Sequence, residues 1–174
     1  MKRARWMLGA LGALAAVSLV PAGAQAASAP SPIGFSTEIT SAVDGSRWAD
    51  FGGDPVIKAA PFGVFGDADK WVVSNQYDGS VTIRNQQTNR CAQANLQWGP
   101  EVLAVPCLPG SPSQRWIVEE RAAGYVISPR ATPDLAVSVE QPNSPAGSWL
   151  KLEPRWDLNG SSTAKSGQVF RFGI

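Results

Sequence analysis

The chain has 174 residues, with 15 Lys and Arg against 14 Asp and Glu, and no histidine. A near-neutral balance without grouped cations excludes a nucleic-acid partner, because affinity for phosphate backbones needs clustered Lys and Arg. The missing imidazole excludes Ser-His-Asp and Cys-His catalysis and His-based zinc sites, and nothing in the composition calls for a metal or a cofactor.

The first residues include Lys2, Arg3 and Arg5, and a 14-residue apolar run, Met7 to Val20, follows. Small residues stand at Ala24 and Ala26. A basic start, a short apolar run and an A-x-A end predict a secretory signal peptide over residues 1–26. The run is shorter than the roughly 20 residues of a membrane span, so no membrane partner is expected after cleavage. Removing three of the 15 cations leaves 12 against 14 acids, a formal charge of −2 on a mature chain of 148 residues. That is the size of one domain, expected to be secreted and monomeric. Cys91 and Cys107 are an even count in a secreted chain, which favours a disulfide over two buried thiols.

After a polar tether at 27–33, apolar runs of four to six residues alternate with Gly- and Pro-rich turns, the pattern of an all-β sandwich or barrel. The predicted strands, in order, are Gly34 to Thr40, Arg47 to Phe51, Val56 to Ala60 and Lys70 to Ser74. Then come Val81 to Asn85, Cys91 to Leu96, Glu101 to Cys107 and Gln114 to Glu119. The last four are Gly124 to Arg130, Leu135 to Glu140, Trp149 to Pro154 and Gln168 to Ile174. Twelve strands make three groups of four, over about 34–76, 77–120 and 121–174. The fourth strand of each group carries a large ring, Trp71, Trp116 and Phe170, at separations of 45 and 54 residues. Three such rings around a pseudo-threefold axis are expected to fill one core. A polar loop, Arg155 to Gly167, lengthens the third unit.

Three repeats and the triplet Gln114-Arg115-Trp116 resemble a ricin-type β-trefoil, and the second repeat carries most of the likeness through Cys91, Cys107 and Gln114-x-Trp116. The resemblance implies an all-β trefoil with the disulfide inside that repeat. It also implies sugar-holding positions, where the family places an acid and a stacking ring. Those positions read as Gln93 and Val105 in the second repeat, Asp50 and Ala59 in the first, and Val137 and Glu153 in the third. No repeat supplies both the polar group and the flat platform that a sugar needs.

A second resemblance covers more of the chain. "DPVIKAAPFGVFGDADKWVV" and "WLKLEPRWDLNGSSTAKSGQVFRF" are similar to the mycocypin and cospin-type protease inhibitors. It implies an extracellular peptidase as partner and three inhibitory loops. The first holds Asp44 and Arg47, the second Gly52, Gly53 and Asp54, and the third Asn89 and Arg90. Glycines admit close backbone approach, Arg suits a trypsin-like pocket, and Asn suits an asparaginyl-specific one. Gly, Asp and Asn are also the residues of ordinary turns. The leading expectation is therefore a non-enzymatic peptidase inhibitor. The alternative is a glycan-binding module with Asp50, Gln93, Trp98, Gln114 and Trp156 as candidates, the two loop tryptophans offering stacking faces. An enzyme built on paired carboxylates would rest on Asp67 and Asp69, which read more plainly as a solvated turn.

Overall fold

The computed structural model describes residues 34–61, 66–97, 99–156 and 166–173. The signal peptide, the tether, Trp98 and most of the third-repeat loop fall outside the described residues. Among the described residues twelve strands form: β1 (Gly34–Ser41), β2 (Arg47–Ala49), β3 (Lys58–Ala60), β4 (Lys70–Asn75), β5 (Val81–Asn85), β6 (Arg90–Ala94), β7 (Val102–Pro106), β8 (Trp116–Arg121), β9 (Gly124–Pro129), β10 (Leu135–Val139), β11 (Ser148–Pro154) and β12 (Phe170–Gly173). Each predicted strand has its counterpart. Short 3-10 turns precede β4, β8 and β12 and end at Asp69, Gln114 and Gln168.

Antiparallel pairing runs β1–β4–β5–β8–β9–β12 and returns to β1. This ring is a closed six-stranded barrel, which leaves no free edge. The hairpins β2–β3, β6–β7 and β10–β11 cap one end. Alternation explains the strands: in β5, Val81, Ile83 and Asn85 are buried while Thr82 and Arg84 face outward. The chain is a β-trefoil.

The core is built on the expected rings. Trp71, Trp116 and Phe170 are wholly buried, joined by Trp48 from β2. Trp48 meets Phe170 at 5.4 Å and Trp71 at 6.2 Å, edge to face, the arrangement that ring quadrupoles favour. Each buried indole N–H of the repeated pair finds a carbonyl. Trp71 Nε1 donates to Trp48 O at 2.8 Å, and Trp116 Nε1 donates to Ala92 O at 3.0 Å.

Cys91 in β6 is bonded to Cys107 just beyond β7, with Cα atoms 4.9 Å apart. The bridge closes the second hairpin over 16 residues. Changing both cysteines to alanine is expected to lower stability by about 3 kcal/mol on loop entropy, read from urea unfolding of the oxidised protein and the double variant.

Candidate functional site

The cap hairpins define which positions are equivalent. Trp48 pairs with Ala59, Ala92 with Ala104, and Val137 with Leu152, and all six are buried. One residue further, Ala49, Gln93 and Ser138 occupy the next row, where Ala49 and Ser138 are buried and Gln93 is half-buried. The sugar-holding positions named from the sequence therefore need a correction of one residue in two repeats. The counterpart of Gln93 is Ala49, not Asp50, in the first repeat, and Ser138, not Val137, in the third. Likewise Ala60, not Ala59, is the counterpart of Val105 and Glu153. A one-residue slip moves a strand residue to the opposite face. The corrected pairs, Ala49 with Ala60, Gln93 with Val105 and Ser138 with Glu153, still supply no acid beside a ring.

Asp50 sits on the core-facing row, wholly buried. Arg90 grips it with two nitrogens, Nε donating to Oδ2 at 2.9 Å and Nη2 to Oδ1. Thr88 Oγ1 and the Gly52 amide also donate to it. Burial alone would push the Asp50 carboxyl up, but Arg90, Thr88 and Gly52 together hold it below the ordinary carboxylate value. Arg90 Nη2 also reaches Asp54 O at 3.0 Å, which ties the 50–54 loop to β6.

Gln114 is buried and holds backbone. Its Oε1 accepts from Leu108 N at 2.8 Å, and its Nε2 donates to Pro106 O at 3.0 Å and Gln93 Oε1 at 3.1 Å. Gln168 repeats this in the third unit, accepting from Trp156 N at 3.3 Å and donating to Pro154 O at 3.0 Å. In the first unit Asp69 takes the position and instead binds Arg47 at 2.6 Å. Both glutamines thus clamp the end of a hairpin, and Trp156 is half-buried beside one of them.

The proposed inhibitory residues are mostly engaged. Arg47 lies in β2, bound to Asp69 and, at 3.1 Å, to Glu38. Arg90 lies in β6 on Asp50. Asp44 accepts from Ser46 within its own turn and from the Asn143 amide of a distant loop at 2.7 Å. Burial would raise the Asp44 carboxyl, but these donors outweigh it and hold it below its ordinary value. Asp54 caps Val56 N at 2.9 Å. Gly52 takes φ +81°, and Gly53 is open to solvent. Asn89, at φ 58°, accepts from Arg84. Neither cation is displayed for a specificity pocket. Asp67 is exposed while Asp69 is buried, so those acids form no facing pair.

One arrangement was not read from the sequence. Where the hairpins meet at the cap centre, Val56 pairs with Leu103, Glu101 with Lys151, and Trp149 with Lys58. These three contacts are related by the pseudo-threefold. Trp149 is 39% exposed, the one exposed tryptophan among the described residues. Lys58 Nζ stands 4.5 Å over its ring, a cation–π contact. Against Trp149 opens a cavity of about 190 Å³ lined by Val56, Pro100, Glu101, Glu140 and Lys151, and not by Lys58. Lys151 is shared between Glu153 at 3.3 Å and Glu140 at 3.8 Å. Glu101 accepts from Asn95 Nδ2 at 3.3 Å. The strand alternation held the signal: Leu150 and Leu152 point inward, which turns Trp149 and Lys151 out.

A family model described as "Ricin-type beta-trefoil lectin domain-like" matches residues 67–152. No curated protein matches the chain. Among solved structures it is similar to the designed threefold-symmetric protein ThreeFoil, with 15% identity and TM-score 0.66 over 80% of this chain and 98% of that one. It is also similar to the Polyporus squamosus lectin bound to a human-type influenza-binding epitope, with 15% identity and TM-score 0.63 over 79% of this chain and 48% of that one. A third is the C-half of the earthworm R-type lectin in complex with GalNAc, with 16% identity and TM-score 0.57 over 79% of this chain and 97% of that one. It spans only 31% and 17% of two longer similar chains, an endo-β-galactosidase from Clostridium perfringens and a mosquitocidal holotoxin. The mycocypin and cospin likeness gains no support from these comparisons. The chain has the β-trefoil fold, and its residues 67–152 match the ricin-type lectin-like model.

Proposed function

We propose that this chain is a secreted, non-catalytic carbohydrate-binding module whose ligand docks at the cap centre. The observation that carries this reading is Trp149. An exposed indole borders a cavity that also holds Glu101, Glu140 and Lys151. A sugar ring needs such a pairing, an apolar platform for its C–H face and convergent polar groups for its hydroxyls. Lys58 stands over the indole but does not line the cavity. The ricin-type likeness and the lectins among similar structures support the ligand class. The usual family positions lack the chemistry, so the reading moves the site to the axis.

A glycan array and polysaccharide affinity columns test it. The protein is expected to be retained on at least one neutral glycan. Trp149→Ala is expected to weaken that retention by about tenfold or more, since a lost aromatic anchor costs above 1 kcal/mol. Its unfolding midpoint should fall only modestly, through loss of the Lys58 contact, worth about 0.5–1 kcal/mol. No glycan bound by the unaltered protein would end the proposal, and full binding by Trp149→Ala would remove the site from the cap.

A further inference from the structure

A second cavity, of about 300 Å³, lies on the flank of the second repeat beside the disulfide. Its chemistry differs from that of the cap. Arg84 and Arg115 both line it, with Ser74, Gln76 and Thr82, and no acidic side chain does so among the described residues. Arg84 projects from the outward row of β5, and its Nη1 donates to the neutral amide of Asn89. Arg115 is half-buried between the turn that ends at Gln114 and the start of β8. Its Nη1 is buried and has no hydrogen-bond acceptor. A buried guanidinium N–H without an acceptor is costly.

Arg115 acts on one acid, Asp78, which is already engaged. Ser80 donates to it, and Arg130 lies 3.0 Å from it. The Ser80 hydroxyl and amide, and then Arg130 and Arg115, keep its carboxyl below the ordinary value despite some desolvation. Asp78 is therefore at a distance where it feels Arg115, without supplying the missing acceptor. The cavity is left with two guanidinium groups, a rim of hydroxyl and amide, and no acid among its described lining residues. Guanidinium forks match planar and tetrahedral oxyanions in charge and geometry.

We propose that this cavity binds the carboxylate or sulfate group of an acidic saccharide. That the oxyanion is carried by a saccharide rests on the function proposed above; the oxyanion site itself does not. Ser74 and Thr82 are placed to meet sugar hydroxyls beside the charged group.

The test uses the purified protein at fixed, low ionic strength with four probes: sodium sulfate, oligogalacturonate, dextran sulfate and neutral dextran. Binding is read by calorimetry. The sulfated or carboxylated polymer is expected to bind, and Arg115→Gln and Arg84→Gln are each expected to weaken it by about tenfold, the loss of one charge-assisted contact. Arg115→Lys, which keeps the charge but not the fork, should fall between. Arg171→Gln, on the exposed row of β12, should change affinity by less than about twofold, as a rim charge does. Near-ultraviolet circular dichroism confirms that each variant is folded. An equal loss in Arg171→Gln would mean general charge attraction and overturn the site. So would the absence of any oxyanion binding, even with neutral glycans still retained at Trp149. Sulfate binding that depends on Arg115, with no polymer bound, would keep the oxyanion site and reject the saccharide.

Discussion

Replacing Arg90 with methionine is expected to destabilise the protein by about 3–5 kcal/mol at neutral pH, the usual cost of orphaning a buried charge. The Asp50 side chain is 1% exposed, and Arg90 supplies its two charged contacts. Thr88 and Gly52 would remain, but neither carries a positive charge. The same change frees the 50–54 loop from its tie to Asp54 O. The pH dependence has a definite sign. The folded carboxyl is held below its unfolded value of about 3.9, so its stabilisation is complete above that pH and is lost as pH falls through the folded value. The gap between the unaltered protein and Arg90→Met should therefore be widest near pH 7 and should narrow below about pH 4. Urea unfolding at both pH values measures it. Adding Asp50→Asn to Arg90→Met should recover part of the loss, because the buried charge goes with its partner. Equal stability of the two proteins at pH 7 would show that the pair holds nothing together.

Trp116→Ala is expected to cost about 3–5 kcal/mol through the cavity that it leaves. The ring is wholly buried, and its N–H satisfies the Ala92 carbonyl. Trp116→Phe separates the two contributions. It keeps most of the ring and orphans only the carbonyl, so it should cost about 1–2 kcal/mol. Phe170 shows that the third repeat already accepts a ring without a donor. If Trp116→Phe proves as damaging as Trp116→Ala, the hydrogen bond and not the packing anchors the second repeat.

Much of the scaffold was legible in the sequence because it depends on period and punctuation. Alternating strands such as Val81–Asn85, the recurring ring at Trp71, Trp116 and Phe170, and the Cys91–Cys107 pair all leave one-dimensional traces. Gln168 repeats the two backbone contacts of Gln114. The site was less legible, for two physical reasons. The frame of the first repeat is set by a contact across 23 residues, Trp71 Nε1 to Trp48 O. No cysteine marks that frame, so Asp50 was placed one residue from the position of Ala49. The cap centre is assembled from three hairpins, and Val56, Glu101 and Trp149 are far apart in sequence. Arg47 and Arg90 looked like loop cations because their partners, Asp69 and Asp50, become neighbours only after the hairpins close.

The pseudo-threefold cap has a consequence for stoichiometry. Val56, Glu101 and Trp149 occupy equivalent positions, yet a single one of them is aromatic. A trefoil with three equal lobes could bridge separate glycan chains and gain avidity from simultaneous engagement. Here the axis brings the three positions to one place, where they become different walls of one cavity. The chain would then engage glycan one to one at the cap. Through the cap alone it would coat a polysaccharide surface rather than cross-link it.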